Sequence, residues 1–389
     1  MFSSTPKASV LLIGAYERDN FGDLLFYQLT MDYLRAHEVA AGSVIGADMT
    51  SLLGARVHPH NDLLSARSWD LVWVVGGEVG GVDVEGALAM SLDDVAWDIY
   101  GHSGAEGRDH IARYLTGAPA RSPAYLPILE GFPLNVSTPL VLNSVGLGNL
   151  VSEAGSSSAV EARSVIRSAA AIVTRDRTSH EIVTAMDLTP TLSPDMVHAI
   201  SLLHPDLADS TRISEPYFVF QASAELIARV GEETIARAIA LVAVATKWRP
   251  ALFLAGTARH HDRADQYDGI EALLKAIAPA ITPMRITTRR PMQLAAVVAG
   301  SRLWIGSSLH GRIIADSFGL PRVSLQNAKV ANYAASWDAG FPTNVPFDAL
   351  VDGVADAIST AQSGSSVEAS KALSHGANQA TQSLVRDFL

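Results

Sequence analysis

Short apolar runs alternate with helical patterns along most of this chain, and this alternation restricts the folds open to it. Strands are predicted at residues 10–14, 43–47, 71–75, 140–145, 171–174, 217–221, 251–255, 285–287, 303–305 and 322–325. Helical patterns separate many of them, at residues 23–37, 160–170, 225–246, 267–278 and 291–299. Strands and helices that alternate in this way form parallel sheets, so the pattern predicts an α/β fold.

The chain length and a break in the pattern predict two domains. A chain of 389 residues is long enough for two ordinary domains. Proline and acidic residues cluster at 203–216, after which the alternation restarts. We therefore predict an N-terminal domain over residues 1–210 and a C-terminal domain over 211–350. Residues 351–389 are predicted to form a helical tail with a Ser/Gly-rich break near 363–366.

One stretch of the N-terminal half, near residues 78–134, interrupts this rhythm. It contains glycines, prolines, many charges and aromatic residues that include Trp97, Tyr100, Tyr114 and Tyr125. It is too long for an ordinary connection, so we expect a partly helical insertion over one end of the sheet. Two interpretations stay open, a region that determines substrate specificity and a variable surface loop.

Composition and charge exclude several classes of function. The chain has no cysteine, which excludes disulfides, thiolate metal sites and a cysteine nucleophile. The formal net charge of −11 argues against nucleic acid as a partner and allows at most peripheral membrane association. The first seven residues lack the basic lead of a signal peptide, and the longest apolar runs are too short to span a bilayer. We therefore expect a cytoplasmic protein; the sequence indicates no oligomeric state.

The segment 303–321 predicts a strand, a turn and a helix that ends before Pro321. Ser307 and Ser308 can cap the helix, because a hydroxyl accepts a hydrogen bond from a first-turn N–H group. Gly319 and Pro321 end it. His310 and Arg312 lie at its start, where the helix terminus favours an anion. This segment is the leading candidate for a functional site.

Ligands of parallel sheets bind at the carboxyl ends of the strands. Three other predicted strand ends carry residues that suit a ligand site. The turn after the first strand contains Asn20 and Asp23, which either cap the next helix or contact sugar hydroxyls. Gly76 and Gly77 follow the 71–75 strand and suit a tight turn or a close ligand. Arg175 follows the 171–174 strand and either binds an anion or pairs with nearby aspartates.

Further cations flank the 303–321 segment, and several site types are excluded. Arg289, Arg290 and Lys329 lie near it in sequence and suit a phosphorylated ligand, although such residues are commonly solvated surface charges. The triplet 260–262, His-His-Asp, suggests metal, but three adjacent side chains cannot easily ligate one ion, so no metal site is predicted. Neither the Gly-x-x-x-x-Gly-Lys phosphate loop nor the Gly-x-Ser-x-Gly nucleophile elbow occurs.

Taken in order, these motifs resemble the polysaccharide pyruvyltransferase family. The resemblance covers most of the chain, and its ordered set of motifs is more specific than any one of them. It rests on Gly14 with residues 20–23, Gly76-Gly77, residues 175–179, residues 193–195, and residues 308–311 with Ile314, Ala315, Gly319 and Pro321.

The resemblance implies a fold and an activity. It implies two Rossmann-like domains that face each other across a cleft, as in GT-B glycosyltransferases, with the acceptor on the N-terminal side and the donor on the C-terminal side. The reaction would transfer pyruvate from phosphoenolpyruvate to paired sugar hydroxyls and form a cyclic ketal. The acceptor would be a glycan, such as a cell-surface polysaccharide or exopolysaccharide, or its lipid-linked saccharide precursor. Neither a metal ion nor a further cofactor would be required.

The resemblance also assigns roles to residues. His310 would be the general acid that protonates the methylene carbon of the donor, and Asp23 would orient or deprotonate the acceptor hydroxyl. The donor would be bound by Arg175 and Arg312, with Lys329 next, and substrate contacts would involve Asn20 and Gly77. Ser308 stands where some family members have an arginine that holds the donor. Arg312 is expected to compensate for that difference.

Two alternative functions remain. One is a GT-B-type glycosyltransferase that uses a nucleotide sugar, but no clear glutamate near His310 offers the carboxylate that a ribose site needs. The other is a non-catalytic glycan-binding relative that kept the fold.

Overall fold

The computed structural model describes residues 7–152, 155–211, 213–338 and 340–389. They form two compact units. The N-terminal unit consists of the described parts of Met1–Asp19, Asp23–Met196 and Asn378–Leu389, and the C-terminal unit of the described parts of Asn20–Gly22 and Val197–Ala377. Each unit is thus built from more than one stretch of the chain.

Within the described residues, the N-terminal unit contains an eight-stranded sheet. Its strands are β1 (Ser9–Ile13), β2 (Glu38–Ser43), β3 (Ala47–Met49), β4 (Ala55–Pro59), β5 (Leu71–Val75), β6 (Leu140–Val145), β7 (Ala171–Thr174) and β8 (Thr191–Leu192). The order is β3-β4-β2-β1-β5-β6-β7-β8, parallel throughout except for the β3–β4 pair. Every residue of β5 and β6 is buried, as expected for central strands covered on both faces.

Helices connect these strands, and several of them begin after a side chain that caps the first turn. They are α1 (Phe21–Tyr33), α2 (Thr50–Leu53), α3 (His60–Ala66), α4 (Val84–Ser91), α5 (Asp94–His102), α6 (Ala105–Thr116), α7 (Asn149–Ser152), α8 (Ser157–Ser168) and α9 (Arg177–Thr184). Asp83, Asp93, Ser156 and Asp176 each accept a hydrogen bond from a first-turn N–H group of the helix that follows. The first two residues of α1 belong to the C-terminal unit.

The C-terminal unit contains, in its described part, a five-stranded sheet in which every neighbouring pair is parallel. Its order is β11-β10-β9-β12-β13. The strands are β9 (Tyr217–Gln221), β10 (Arg249–Leu252), β11 (Met284–Arg285), β12 (Trp304–Gly306) and β13 (Arg322–Ser324). The remaining helices are α10 (Ile200–Leu203), α11 (Ala224–Val230), α12 (Glu232–Thr246), α13 (Ala264–Ile277), α14 (Pro291–Ala299), α15 (Leu309–Ser317), α16 (Ala328–Trp337), α17 (Leu350–Ala361) and α18 (Gly364–Phe388). Short 3-10 helices occupy Leu129–Gly131, Met196–Ala199, Leu207–Ser210 and Phe347–Ala349.

The α/β class and the parallel sheets confirm the sequence prediction, with differences at the sheet edge. The strand predicted at 43–47 is wrong, because β2 ends at Ser43 and β3 begins at Ala47. The sequence analysis also missed β4, in which the exposed Arg56 and His58 alternate with buried or half-buried residues. Such a strand lacks the continuous apolar run that marks a central strand.

The domain boundaries also differ from the prediction. The N-terminal unit ends its second segment at Met196, earlier than the predicted 210. Residues 203–211 belong to the C-terminal unit, where a Cβ on Gly300 would lie 2.5 Å from Thr211 and 3.0 Å from the Ala208 carbonyl oxygen. The predicted tail does not form one body, because 351–377 belong to the C-terminal unit and 378–389 to the N-terminal unit.

The insertion is partly helical, as predicted. It contains α4, α5, α6 and the 3-10 helix Leu129–Gly131. Tyr100 is buried and stacks on Trp97 with ring centroids 5.2 Å apart. Tyr125 is buried as well, so the insertion contributes to the core of the N-terminal unit. None of the helices in the described part of the chain combines the length and the apolar character needed to cross a membrane.

Candidate functional site

The turn between β12 and α15 forms as the sequence predicts. Ser308 is the N-cap of α15, and its hydroxyl accepts a hydrogen bond from the Gly311 N–H group at 3.4 Å. Ser307 has another role, because its hydroxyl accepts a hydrogen bond from the Ser223 N–H group at 3.0 Å. The two serines thus connect the start of α15 to the loop that follows β9.

Gln221, the last residue of β9, holds this turn in place. Its side-chain carbonyl accepts hydrogen bonds from the N–H groups of Ser307 at 3.0 Å and Ser308 at 2.9 Å. Its amide donates to both carboxylate oxygens of Asp262, which also accepts from the Ala255 N–H group at 2.6 Å. One buried amide therefore joins the carboxyl ends of β9, β10 and β12. Gln221 was not predicted as a site residue, because its only signal in the sequence is its position at the end of a predicted strand.

The His310 ring packs against the start of α1. A Cβ on Gly22 would lie 1.8 Å from His310 Nδ1, so only glycine fits beside this ring. The segment Asn20–Gly22 is held in the C-terminal unit by a hydrogen bond from the Phe21 N–H group to the Ala255 carbonyl, at 2.8 Å. The Asn20 side chain accepts from the Gly22 N–H group at 3.2 Å, so it stabilises this turn. Two motifs far apart in sequence therefore meet at His310.

A cluster of aromatic rings packs against the same turn. A Cβ on Gly311 would lie 2.1 Å from the Trp304 ring, and one on Gly306 would lie 2.5 Å from it. Trp304 packs edge-to-face on Phe253, with ring centroids 5.7 Å apart, and Phe253 packs similarly on Phe21 at 5.4 Å. These contacts leave the backbone around His310 little room to shift, and His310 itself is 8% exposed.

Arg312 is held by groups of the C-terminal unit itself. Its side chain is 1% exposed, and all three guanidinium nitrogens donate hydrogen bonds inside the C-terminal unit. Nε bonds Asp338 at 2.8 Å, Nη1 bonds Ser324 and the Pro342 carbonyl, and Nη2 bonds the Phe341 carbonyl at 3.2 Å. Burial lowers the pKa of this guanidinium, with Asp338 opposing the shift. Arg312 therefore stabilises the unit, and its donor-binding role, with compensation for Ser308, stays a prediction.

A polar pocket lies beside the same turn. It has a volume of about 510 Å³ and is lined by Ser223, Glu225, Leu226, Arg229, Gln326, Asn327, Ala328 and Asn344. Asn327 donates a hydrogen bond to the Ser307 carbonyl at 2.9 Å, which places the pocket next to the β12–α15 turn. Lys329 is exposed in the first turn of α16, directly after the lining residue Ala328. Arg229 is a further cation that the sequence analysis did not consider.

In the N-terminal unit, Asp23 and Gly77 lie together at the carboxyl ends of β1 and β5. A Cβ on Gly77 would be 3.7 Å from Asp23 Oδ1, and Gly77 has a φ of +72°, which favours glycine. Asp23 is 8% exposed and forms an ion pair with Arg18 at 3.4 Å. Asp23 and Gly77 are therefore neighbours at this edge of the sheet, and Arg18 lies beside Asp23.

Arg175 lies at the end of β7 among three carboxylates. Its guanidinium is 3.3 Å from Asp195, 3.9 Å from Glu78 and 3.9 Å from Asp176, and the side chain is 1% exposed. The pairing alternative from the sequence analysis is therefore present. This negative surrounding competes with an anionic donor for the guanidinium, and donor binding by Arg175 stays a prediction.

Comparison with known proteins shows the family to which the chain belongs. The model of the family described as polysaccharide pyruvyl transferase matches residues 20–328. The chain belongs to this family. Among functionally curated proteins, no sequence matches it. The family match begins at Asn20, which shapes the turn beneath His310, and ends at Ala328, one residue before Lys329.

Solved structures share the fold of this family member at low sequence identity. A putative UDP-N-acetylglucosamine 2-epimerase from Listeria monocytogenes is 11% identical with a TM-score of 0.56, covering 96% of this chain and 94% of that one. The Neisseria meningitidis UDP-GlcNAc 2-epimerase bound to UDP-GlcNAc is 10% identical with a TM-score of 0.54, covering 95% and 99%. Anabaena HepE in complex with UDP and glucose is 14% identical with a TM-score of 0.51, covering 98% and 99%. At this identity the likeness shows the fold alone, which is the GT-B class with two Rossmann-like units.

Among the described residues, no three His, Cys, Asp or Glu side chains lie close enough together to hold a metal ion. In the triplet 260–262, Asp262 accepts hydrogen bonds from the Gln221 side chain and from the Ala255 N–H group.

Proposed function

We propose that this protein transfers pyruvate from phosphoenolpyruvate to two hydroxyls of a saccharide, giving a cyclic ketal and phosphate. The observation that carries the proposal is the position of His310 in the first turn of α15, with its ring packed against Gly22. Membership of the polysaccharide pyruvyl transferase family supports the reaction class. We assign the acceptor to a polysaccharide or its lipid-linked precursor, and the site of action to the cytoplasm.

His310 is the proposed proton donor. Protonation of the donor's methylene carbon creates an oxocarbenium-like centre at the neighbouring carbon, which the first sugar hydroxyl attacks. The second hydroxyl then replaces the phosphate at the same carbon and closes the ketal. One hydroxyl proton restores His310, and the other leaves with the phosphate. Imidazole suits this role because it exchanges protons near neutral pH.

Asp23 is the proposed group that orients and deprotonates the acceptor hydroxyl. Its carboxylate lies beside Gly77 at the carboxyl edge of a parallel sheet, where ligands of such sheets bind. Asn20 takes a supporting role, because its side chain holds the Gly22 N–H group.

The donor carries a phosphate and a carboxylate, and we assign their binding to Lys329 and Arg229. Lys329 is exposed near the β12–α15 turn, and Arg229 lines the pocket beside it. The N–H groups at the start of α15 favour an anion as well. Arg175 is left out of this assignment because of the three carboxylates around it.

The test is acceptor-dependent phosphate release from phosphoenolpyruvate over a panel of saccharides, with the ketal identified by mass. His310→Ala is expected to lower kcat by roughly 10²–10⁴-fold, the usual contribution of a general acid. His375→Ala, which changes an exposed histidine of α18, is the control and should leave kcat unchanged. Nucleotide release from a nucleotide sugar, in place of phosphate release, would overturn the proposal in favour of glycosyl transfer.

A second pair of variants tests the donor assignment. Arg229→Ala should raise the KM for phosphoenolpyruvate about tenfold, as expected for loss of one charge-assisted hydrogen bond. Arg237→Ala changes an exposed arginine of α12 that pairs with Glu233 and should leave that KM unchanged. An unchanged KM in Arg229→Ala would remove Arg229 from the site while leaving the reaction assigned to His310.

A further inference from the structure

A group of buried polar residues lies in the turn after β1, next to Asp23. We call Glu17, Arg18, Ser43, Ser91 and Tyr125 the Glu17 cluster. Glu17 is 6% exposed and Arg18 is 9% exposed. Neither charge was considered in the sequence analysis, and the mechanism above does not use them.

Glu17 lies at the centre of the cluster. Its carboxylate accepts hydrogen bonds from the Ser43 hydroxyl, from the Ser91 hydroxyl at 2.7 Å and from the Tyr125 hydroxyl at 2.9 Å. It also pairs with Arg18 at 2.5 Å. Burial opposes its ionisation, but the Arg18 charge and the serine hydroxyls hold the pKa of Glu17 below its ordinary value. Glu17 is therefore a buried carboxylate with a fixed set of partners.

Arg18 connects this cluster to Asp23. Its Nη1 donates to Glu17 and, at 2.6 Å, to the Tyr125 hydroxyl. Its Nη2 donates to Asp23 Oδ2 at 3.4 Å. One guanidinium nitrogen is thus held by the cluster, while another is directed at the carboxylate proposed to act on the acceptor.

Burial of these charges calls for a reason other than stability. Removing two ions from water costs several kcal/mol for each ion, so a buried ion pair frequently contributes no net stability. Such pairs do fix orientation, because the planar guanidinium donates in defined directions. The insertion takes part in this arrangement, since Ser91 and Tyr125 both belong to it.

We infer that Arg18 is a positioning residue, held by Glu17 and Tyr125 so that its ion pair keeps the Asp23 carboxylate in one orientation for the acceptor hydroxyl. This inference rests on the role proposed for Asp23. By this inference the insertion contributes to the chemistry, because Tyr125 and Ser91 belong to it. Such a role differs from both earlier interpretations of the segment, a specificity region and a surface loop.

The test is a double-mutant cycle between Arg18 and Asp23. Arg18→Met should lower kcat by at least about tenfold and leave the KM for phosphoenolpyruvate within about twofold, because Arg18 acts on the acceptor side. Asp23→Asn should lower kcat further, and the double variant should be no slower than Asp23→Asn alone. Arg18→Lys, which keeps the charge, should restore part of the kcat.

Two further variants separate positioning from folding. Tyr125→Phe removes one hydroxyl that both accepts from Arg18 and donates to Glu17, and it should lower kcat by roughly threefold to tenfold with the melting temperature close to that of the unchanged protein. Arg56→Met changes an exposed arginine 3.9 Å from Asp48 in the same unit and is the control, with no change in kcat.

The outcomes separate the inference from the proposed function. Independent, multiplying effects of Arg18→Met and Asp23→Asn would overturn the inference, as would unchanged kcat in Arg18→Met. If the protein instead releases nucleotide from a nucleotide sugar, the proposed function fails, and the same cycle is measured on that reaction. A non-additive cycle there would still support positioning of Asp23 by Arg18.

Discussion

Arg18 of the N-terminal unit and Arg312 of the C-terminal unit are both buried arginines near the ends of parallel strands, yet they differ in what they hold. Arg312 donates to Asp338, Ser324 and the carbonyls of Pro342 and Phe341, all parts of the unit's own scaffold. Arg18 is fixed on one side by Glu17 and Tyr125 and directs its other nitrogen at Asp23, a proposed reactive group. Proximity to a motif therefore does not identify a functional arginine; its hydrogen-bond partners do.

The largest expected effect is on the scaffold side of this comparison. Arg312→Ala should lower the free energy of unfolding by about 3–5 kcal/mol, because it removes one of the two arginines that pair with buried Asp338 and takes a donor from the Ser324 hydroxyl and from the carbonyls of Pro342 and Phe341. Urea unfolding of the variant measures the loss, with the exposed Arg237→Ala as control. A stability close to that of the unchanged protein would show that the two arginines do not differ as described.

The second test varies the pH and addresses the N-terminal unit around the Glu17 cluster. His60 is buried beside this cluster, where its Nδ1–H donates to the Ser43 carbonyl at 2.8 Å. Burial lowers the pKa of His60 from 6.5 to about 4. Between these values the unfolded chain binds more protons than the folded one, so stability falls as the pH falls. A shift of this size corresponds to roughly 3 kcal/mol lost between pH 7 and pH 4.

Urea unfolding at pH 7, 5.5 and 4 measures this loss. The variant His60→Gln should lack that part of the acid destabilisation, whereas His58→Gln, at an exposed position of β4, should retain it. Equal acid slopes in all three proteins would contradict the assignment to His60.

A third test addresses the segment Asn20–Gly22, which precedes Asp23 in sequence and packs against His310. Gly22→Ala would place a methyl group where the imidazole lies, so the ring must move. A displacement of about 1 Å in a catalytic group costs about a hundredfold in rate, which is the decrease we expect in kcat. Gly101→Ala, at a helical glycine of α5 with open space around it, is the control. Full activity in Gly22→Ala would argue against His310 as the proton donor in this position.

The smallest expected effect concerns the cap of α15. Ser308→Ala removes the acceptor for the Gly311 N–H group and should lower the free energy of unfolding by about 1 kcal/mol. Ser359→Ala, at an exposed position of α17, should cause no comparable loss. If Ser308→Ala instead raised the KM for phosphoenolpyruvate tenfold without loss of stability, Ser308 would bind the phosphoenolpyruvate donor. The C-terminal unit would then contain a functional residue in addition to His310.

Much of the fold was readable from local patterns. The buried strands at 71–75, 140–145, 171–174 and 217–221 match their predicted bounds, because continuous apolar runs indicate central strands. The strand β4, which lies next to the edge strand β3, carries polar residues at alternate positions and was missed. The contact between Gly22 and His310 joins residues far apart in sequence, and no local pattern indicates it.

The surroundings of Arg312 were not predicted from the sequence, although a simple geometric rule bears on them. Residues two positions apart on a helix are separated by roughly 200° around its axis, so the side chains of His310 and Arg312 leave α15 on opposite sides. Helical periodicity alone therefore argued against placing both on one ligand. The Glu17 cluster was missed for a different reason, since its members come from separate segments and their charges are buried only in the folded unit.

Helix α18 has a consequence for the folding of the N-terminal unit. Ser370 and Ser374 in its first part bond Asp316 and Ser201, whereas Asn378 and Thr381 in its last part bond Tyr33 and Asn143. The N-terminal unit therefore takes part of its hydrogen-bond network from residues 378–389, far in sequence from Tyr33 and Asn143. We expect the folding of this unit to require these residues, and a fragment that stops at Met196 to expose the buried Asn143 amide.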